Sequence, residues 1–258
     1  GLQVHDSSQY ARGGARDLAA AFGSGPWPKV LAVAEGGAAA RAGVKPNDSI
    51  LAIDGKPVPR AARQGSYARV GATLALLDQG LADGHATLAL ERAGKPLRID
   101  LTGDRGCASR FQLKISKGLQ GRADGGYVEV TTGLVAFAPD DAELAAAIAH
   151  ELAHNILRHR ARLDAAGVKR GLLQNFGKNA RLTRETEVEA DRLSVYLLDR
   201  AGYPMAAAVA FWERFRRAIF DFGDNTHPGG KARVAIVRAE IVRIEAAKAR
   251  GEVPGFVP

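Results

Sequence analysis

The sequence predicts an α+β fold built from two domains. Residues 26–102 contain short runs of Val, Ile and Leu separated by Gly, Pro, Asn and Asp, which is typical of strands joined by turns. Residues 140–162 and 187–198 instead carry apolar residues at helical spacing. A short polar segment, residues 102–106, lies between the two patterns. We therefore expect domains at residues 1–103 and 104–258, each long enough to bury its own core.

The first domain is predicted to combine short strands with two helices. An alanine-rich helix is expected to end at Gly43, where the chain loses helix propensity. Asp54 and Gly55 predict a tight turn between strands. A second helix is expected over residues 67–77. The strands are expected at residues 30–33, 50–53, 86–91 and 97–101.

A long helix is predicted to open the chemically informative part of the second domain. Asp140 and Asp141 follow a proline and supply carboxylates that suit the first turn of a helix. Apolar residues at helical spacing continue to a basic run at residues 158–162, which suits a helix C-terminus, and Gly167 lies beyond it. The pattern therefore predicts one helix through this whole stretch.

Two histidines on this helix stand four residues apart, in the sequence His150-Glu151-Leu152-Ala153-His154. Residues i and i+4 share a helix face, so both imidazoles can reach one metal ion. Glu151 follows the first histidine and can lean over the open coordination position of that ion. This HExxH arrangement is typical of zinc sites in which the metal polarises a water and the glutamate takes its proton.

A third zinc ligand is expected some thirty residues downstream. Glu187 and Asp191 are four residues apart on a predicted helix, so one can bind the metal while the other accepts the free N–H of a ligating histidine. Glu189 is expected to project to another face, and Glu185 is two residues off this spacing. A solvated acidic helix face is the alternative explanation of this run of carboxylates.

Other chemically capable residues have simpler explanations. His159 has no metal-spaced partner of its own and is expected in the basic tail of the zinc helix. Cys107 is the single cysteine, so no intrachain disulfide can form, and a small buried apolar role is expected for it. Trp212, Phe211 and Phe215 are interpreted as a cluster facing the core and not as a binding platform.

Three motifs in order give residues 104–250 a resemblance to the zinc metallopeptidases of family M48. They are the HExxH sequence, the run from Glu187 to Asp191, and Thr226-His227-Pro228. Residues 121–130 also look like the strand that precedes the zinc helix in that family. The resemblance implies a mostly helical zincin domain of the gluzincin type with a small sheet. The long apolar helices of the family's integral-membrane members are missing from this sequence, whose apolar runs are too short to span a bilayer.

The resemblance also implies roles for individual residues. One zinc ion per chain is expected on His150, His154 and Glu187, with Asp191 as the partner of a ligating histidine and Glu151 as general base and then acid. His227 and Arg233 become candidates for stabilising the tetrahedral intermediate. His227 has two alternatives: it could occupy the fourth zinc position in a latent state, or it could cap the helix predicted at residues 231–248.

A strand ahead of the zinc helix is the candidate binding site for the substrate backbone. Residues 127–131 alternate as a strand does, and an edge strand in a metallopeptidase of this type can accept an extended peptide as an added strand. The residues expected to take part are Gly126, Tyr127, Val128 and Glu129. The alternative is an ordinary strand of the sheet.

Residues 26–102 resemble a bacterial PDZ domain, which is a small β-barrel or sandwich with two helices. The resemblance rests on residues 38–48, Ala-Ala-Ala-Arg-Ala-Gly-Val-Lys-Pro-Asn-Asp, and on the order of the predicted elements. It implies a groove beside the helix at residues 67–77 that binds an extended peptide, usually a C-terminus. The loop that would hold the carboxylate is either residues 1–4 or residues 21–25. The alternative is that this domain only gates or supports the second one.

The calculated net charge of +8 does not indicate nucleic-acid binding, because basic and acidic residues alternate along the predicted helices and no nucleic-acid motif is present. The excess favours peripheral contact with an acidic membrane surface, or solubility alone. Residues 169–179 are expected to form a loop that acts as a lid or a partner surface. The sequence begins at Gly1 without a methionine, so we expect that an export signal was removed, and the resemblance suggests the periplasm or envelope of a bacterium.

The function predicted from these features is a zinc-dependent endopeptidase that acts on peptides or unfolded proteins, in protein quality control at the envelope. A peptide-binding chaperone or adaptor with a latent or vestigial zinc site is the alternative. Prenyl-protein processing is a weaker third hypothesis, because the sequence offers no helices for a membrane-embedded chamber.

Overall fold

The computed structural model of the protein describes residues 1–10, 25–60, 65–106, 109–168, 177–219 and 227–257. The chain divides into two compact units, Gly1–Cys107 and Ala108–Pro258, a few residues from the division expected from the sequence. The fold class is α+β, as predicted. Four predictions fall wholly or largely outside the described residues: those for Cys107, Thr226, the loop at residues 21–25 and the loop at residues 169–179. The last three residues of that predicted loop are described and belong to a helix that begins at Gly177.

The N-terminal unit is built on one antiparallel sheet. Its strands lie in the order β1-β2-β3-β5-β6, and β4 pairs with β3 outside this path. The strands are β1 (Leu2–His5), β2 (Lys29–Val33), β3 (Ser49–Ile53), β4 (Lys56–Pro57), β5 (His85–Arg92) and β6 (Lys95–Thr102). The helices are α1 (Ala38–Arg41) and α2 (Ala68–Gly80), with 3-10 turns at Ser7–Gln9 and Leu81–Asp83. The four strands and two helices that the sequence predicts are present, whereas β1 and β4 were not predicted.

The alternation of side chains along the strands creates the core of this unit. In β5, Ala86, Leu88 and Leu90 are buried while the residues between them are more exposed. The turn between β3 and β4 has positive φ at both central residues, 48° at Asp54 and 74° at Gly55. That backbone matches a two-residue hairpin turn, which explains why an Asp-Gly pair stands there.

Strand β1 lies at one edge of the sheet and contacts helix α2. A buried ion pair joins the two elements where β1 ends, because Arg69 Nε donates to Asp6 Oδ2 at 2.9 Å and both side chains are almost fully buried. Residues 1–4 are the first of the two loops suggested for carboxylate binding. This expectation is wrong, because Leu2–His5 form strand β1. The second loop lies outside the described residues.

The C-terminal unit contains a small mixed sheet of three strands in the order β7-β9-β8. The strands are β7 (Arg110–Lys114), β8 (Gly121–Ala123) and β9 (Tyr127–Thr131). Strand β9 pairs in parallel with β7 and antiparallel with β8, so it is the middle strand. The expectation that residues 126–129 form a sheet edge is therefore wrong, and β8 is an edge strand on the side of the metal-binding helix.

Six helices complete the C-terminal unit among the described residues. They are α3 (Thr132–Phe137), α4 (Asp141–Ile156), α5 (His159–Ala165), α6 (Gly177–Arg200), α7 (Ala206–Ala218) and α8 (Gly230–Ala249). Helix α4 begins where the sequence predicts, and the side chain of Asp140 accepts from the N–H of Glu143 as its N-cap. No helix in the described part of the chain is long and apolar enough to cross a membrane.

The predicted single helix over residues 141–162 is in fact two helices. Helix α4 ends at Ile156, the chain turns at Arg158 with a φ of 54°, and α5 begins at His159. A left-handed arginine costs backbone energy, so surrounding contacts must hold it. The break changes the position of His159, which is buried and begins a separate helix instead of lying in the tail of α4.

Helices α4, α6, α7 and α8 pack around one apolar core. Hydrogen bonds between charged and polar side chains join the helices at the margin of this core. Glu143 of α4 accepts two hydrogen bonds from Arg214 of α7, and Glu240 of α8 accepts from Tyr196 and Arg192 of α6. Glu240 is 1% exposed, so these bonds replace the water that its carboxylate loses on burial.

Candidate metal centre

Helices α4 and α6 lie side by side and bring the three predicted zinc ligands together. The Nε2 atoms of His150 and His154 are 3.2 Å apart. Glu187 Oε2 lies 3.4 Å from His150 Nε2, and Glu187 Oε1 lies 3.5 Å from His154 Nε2. One ligand atom from each residue lies within 4.8 Å of the others. The three donors thus converge on one point.

Asp191 stands one helical turn after Glu187 and approaches the far side of His150. Its Oδ1 lies 2.9 Å from His150 Nδ1, and the carboxylate is fully buried. A proton on Nδ1 leaves Nε2 with a lone pair directed at the other two ligands. The i and i+4 spacing predicted that these two carboxylates share the two roles. The assignment of Glu187 as the ligand and of Asp191 as the partner of a histidine came from the family resemblance.

The electrostatic environments of the two histidines differ. Burial lowers the pKa of His150, but Asp191 and Glu187 outweigh it and raise that pKa to about 9. Burial lowers the pKa of His154 to about 3, with only partial opposition from Glu187. Burial would raise the pKa of Glu187, but the two histidines and Arg233 hold it well below its usual value. An ionised carboxylate beside two imidazoles is the donor set that zinc takes in catalytic sites, so the residues fit that ion.

Glu151 follows the first histidine and lies beside strand β8. A Cβ atom added to Gly121 would stand 2.6 Å from Glu151 Oε1 and 2.9 Å from its Cγ. The bare glycine backbone therefore leaves room for this carboxylate. Burial raises the pKa of Glu151, since the charged form loses water there.

A cavity of about 1020 Å³ opens onto the centre. All three ligands and Glu151 line it, together with Gly121, Arg122 and Ala123 of strand β8. Of the four residues predicted to bind the substrate backbone, Glu129 lines this cavity.

One wall of the cavity is aromatic. Phe211 and Trp212 are buried in the core, as predicted, and they line the cavity together with Phe215. The Trp212 ring stands edge-on to the ring of His150, with centroids 5.3 Å apart. The interpretation of these residues as core alone was therefore incomplete, because helix α7 turns part of the cluster towards the cavity.

Arg233 and His227 both reach this region, in different ways. Arg233 is 5% exposed and forms an ion pair with Glu187 through one terminal nitrogen, while the other lies 3.5 Å from Asp191 Oδ1. Its guanidinium stands 4.1 Å from the centroid of the Trp212 ring. His227 is exposed and lines the cavity. Gly229 is the N-cap of α8 and makes no side-chain cap bond, so His227 does not fill that position.

His227 is not among the donors grouped around one point in the described part of the chain, where the group consists of His150, His154 and Glu187. In this conformation it therefore does not act as a fourth ligand.

The structure adds two residues that the sequence reasoning assigned elsewhere. His159 Nδ1 lies 2.9 Å from His154 Nδ1, and His159 Nε2 lies 2.9 Å from Glu189 Oε2. Burial lowers the pKa of His159, although Glu189 opposes this. The sequence placed Glu189 on another helix face, outside the zinc site. His159 nevertheless connects Glu189 to the ligand His154, because the break between α4 and α5 at Arg158 brings His159 beside both residues. The sequence gives no sign of that break.

Two histidines on one helix, a carboxylate from the next, and a glutamate beside them in a cavity form the arrangement that is typical of zinc metallopeptidases. Residues 119–182 match peptidase family M48, and residues 29–92 match the PDZ domain family. The chain therefore carries a PDZ domain followed by a domain of peptidase family M48.

Curated relatives agree with this assignment. The chain is 32% identical over 133 residues to the mitochondrial metalloendopeptidase OMA1 of Schizosaccharomyces pombe. The aligned segment covers 43% of this chain and 40% of that protein. It is 30% identical over 140 residues to the mitochondrial metalloendopeptidase OMA1 of Arabidopsis thaliana, covering 47% of this chain and 29% of that protein. The similarity thus spans less than half the length of either relative.

Proposed function

We propose that this protein is a zinc-dependent endopeptidase. The observation that supports the proposal best is the convergence of His150, His154 and Glu187 at the wall of a cavity that Glu151 also lines. These three residues would hold one zinc ion. A zinc ion in such a site acts as a Lewis acid and lowers the pKa of water towards about 7. The size of the cavity, about 1020 Å³, fits a segment of peptide better than a single amino acid.

Glu151 is the residue that would move protons during hydrolysis. It would take a proton from the attacking water at one carboxylate oxygen and later give it to the nitrogen of the leaving amine. The raised pKa of Glu151 suits these steps, because a carboxylate with a higher pKa takes up the proton more readily and keeps it until the leaving amine accepts it. Gly121 supports the assignment, since its missing side chain leaves space for the carboxylate.

The substrate backbone would pair with strand β8. Residues Gly121–Ala123 line the cavity, and β9 occupies only one side of β8. An extended peptide added along the other side would pass Glu151, with its own N–H and C=O groups bonded to the strand. This assignment replaces residues 126–129, whose strand is paired on both sides.

Arg233 and His227 would have different tasks. Arg233 contacts Glu187 and Asp191, so it would mainly hold these carboxylates in place. His227 is exposed at the cavity wall, where it could donate to the oxyanion of the tetrahedral intermediate. Replacing His227 by Ala should then lower kcat about 10²-fold while zinc affinity stays unchanged. A gain of activity would instead support the latent-site hypothesis.

For the PDZ domain we propose the binding of an extended peptide between strand β1 and helix α2. The support is the position of β1 at a sheet edge beside that helix, as in an added-strand complex. A fluorescent peptide with a free C-terminal carboxylate should bind the full chain, and its C-terminally amidated form should bind much more weakly. Equal binding of both forms would contradict carboxylate recognition.

Metal dependence tests the proposed activity most simply. Cleavage of an unfolded protein such as casein should stop after zinc is removed with a chelator and should return when zinc is restored. Cleavage that persists in the chelated protein would contradict the proposal. A chain that binds casein, holds zinc and never cleaves would support the alternative of a peptide-binding adaptor.

A further inference from the structure

The two zinc-ligand histidines are supported in different ways on their far sides. His150 meets the carboxylate of Asp191 directly, with 2.9 Å between Oδ1 and Nδ1. His154 instead meets a second imidazole, because its Nδ1 lies 2.9 Å from Nδ1 of His159. His159 is 1% exposed and in turn reaches Glu189. A chain of hydrogen bonds thus extends from the ligand side of α4 across to α6.

The carboxylate at the end of this chain, Glu189, determines which ring nitrogen of each histidine carries a proton. The carboxylate of Glu189 can only accept hydrogen bonds. It also accepts two from Arg162, whose terminal nitrogens lie 2.5 Å from Oε2 and 3.2 Å from Oε1. His159 must therefore carry its proton on Nε2, where it donates to Glu189. Its Nδ1 is then an acceptor, so His154 must donate from Nδ1. The lone pair of His154 is left on Nε2, which faces Glu187 and His150.

From this geometry, and resting on the proposed function, we propose that His159 is a positioning residue for zinc: it fixes the tautomer and the ring orientation of His154. Glu189 and Arg162 set the tautomer of His159 in the same way. His150 is thus held directly by a carboxylate, that of Asp191. His154 is held by the carboxylate of Glu189 through the imidazole of His159. Such partners of ligating histidines typically change metal affinity 10–100-fold when they are removed.

The backbone supports this assignment. His159 is the first residue of α5, directly after Arg158 with its positive φ of 54°. In a continuous helix a residue five positions after His154 would point away from it. The break after α4 is what places the ring of His159 over the ring of His154, with centroids 4.8 Å apart and the planes at 82°.

The test compares the zinc affinities of four full-length proteins, measured by competition with a chromogenic chelator. His159→Phe keeps a ring but removes both hydrogen bonds, and we expect its zinc affinity to fall 10–100-fold. His159→Asn keeps an acceptor oxygen near the Nδ1 position and should regain most of the affinity. Val168→Ala is the matched control, because Val168 is buried just after α5 and this change loosens packing without removing a polar contact.

Three outcomes decide the matter. A loss in His159→Phe that His159→Asn reverses, with Val168→Ala close to wild type, supports the positioning role. Equal losses in His159→Phe, His159→Asn and Val168→Ala would overturn it and indicate that α5 only supports the fold. The readout does not depend on cleavage: a wild-type protein that binds zinc with this dependence on His159 yet cleaves nothing would contradict the proposed peptidase and leave the positioning role standing.

Discussion

A single methyl group at Gly121 should disable the protein while leaving its metal site intact. In Gly121→Ala the new Cβ would stand 2.6 Å from Glu151 Oε1, where ordinary contacts begin at 3.4 Å. The alanine itself is compatible with the backbone, because Gly121 has no positive φ. The carboxylate must therefore move by about 0.8 Å, and the strand need not.

The expected effect follows from that displacement. A shift of about 1 Å in a catalytic group costs roughly 10²-fold in rate, which corresponds to about 2.7 kcal/mol of activation free energy. We expect kcat for cleavage of casein, or of a quenched fluorescent peptide, to fall by that factor. Zinc content and melting temperature should stay close to those of the wild type, because Glu151 is not one of the three grouped donors.

Gly118→Ala is the matched control for this experiment. A Cβ there would meet its nearest atoms, Gln120 Cδ and Ser116 Oγ, at an ordinary 3.6 Å. It should therefore cleave at nearly the wild-type rate. A Gly121→Ala protein with undiminished kcat would refute the reasoning, since Glu151 would then tolerate a displacement that general-base catalysis should not. Loss of zinc together with activity would also refute it.

Three further predictions concern stability and are checked by urea unfolding of the full chain. Arg69→Met should cost about 3–5 kcal/mol, because Asp6 stays buried without its counter-charge, and a double variant with Asp6→Asn should recover part of this loss. Burial raises the pKa of Asp6, but hydrogen bonds from Arg69 and Ser8 outweigh it and lower this pKa below 3.8. The stability that ionised Asp6 adds should therefore be complete above pH 3.8 and be lost as the pH falls through the folded-state pKa. Asp6→Asn should not show this loss of stability in acid. Glu240→Ala should destabilise the C-terminal unit by about 3 kcal/mol, because the buried hydroxyl of Tyr196 and the partly buried guanidinium of Arg192 lose their acceptor. Removing the exposed end of Arg243 should cost under about 1 kcal/mol, and equal costs would contradict the role of burial.

The metal ligands could be read from the sequence because their geometry is local. His150 and His154 share a helix face by spacing alone, and so do Glu187 and Asp191. Only the packing of α4 against α6 was needed to bring the two pairs together, and the apolar residues of both helices predict that they are buried. The PDZ elements were predictable for a similar reason, since turns such as the one at Asp54 are determined by adjacent residues.

The partners that depend on chain reversal could not be read in this way. Arg158 adopts a left-handed conformation that an arginine has no intrinsic reason to adopt, so the meeting of His159 with His154 and Glu189 depends on tertiary packing. The error about β9 has a similar cause. Its parallel partner β7 begins at Arg110, well separated along the chain, and pairing between distant segments leaves little local signal.

A clue to β7 was nevertheless present. Phe111 and Leu113 alternate with polar residues, as strand residues do. Both side chains are largely exposed, so the pattern marks a strand with little apolar burial and is weak.

The role of Glu151 as the general base of a zinc-dependent peptidase is tested by Glu151→Gln. This change keeps the size of the side chain and removes its ability to act as a base. Zinc content and casein cleavage should be measured for the wild type, for Glu151→Gln and for Glu185→Gln, a matched change at an exposed glutamate of α6. We expect one zinc per chain in all three proteins, full cleavage in the wild type and in Glu185→Gln, and a fall of several orders of magnitude in Glu151→Gln. Cleavage by Glu151→Gln at the wild-type rate would contradict this role of Glu151.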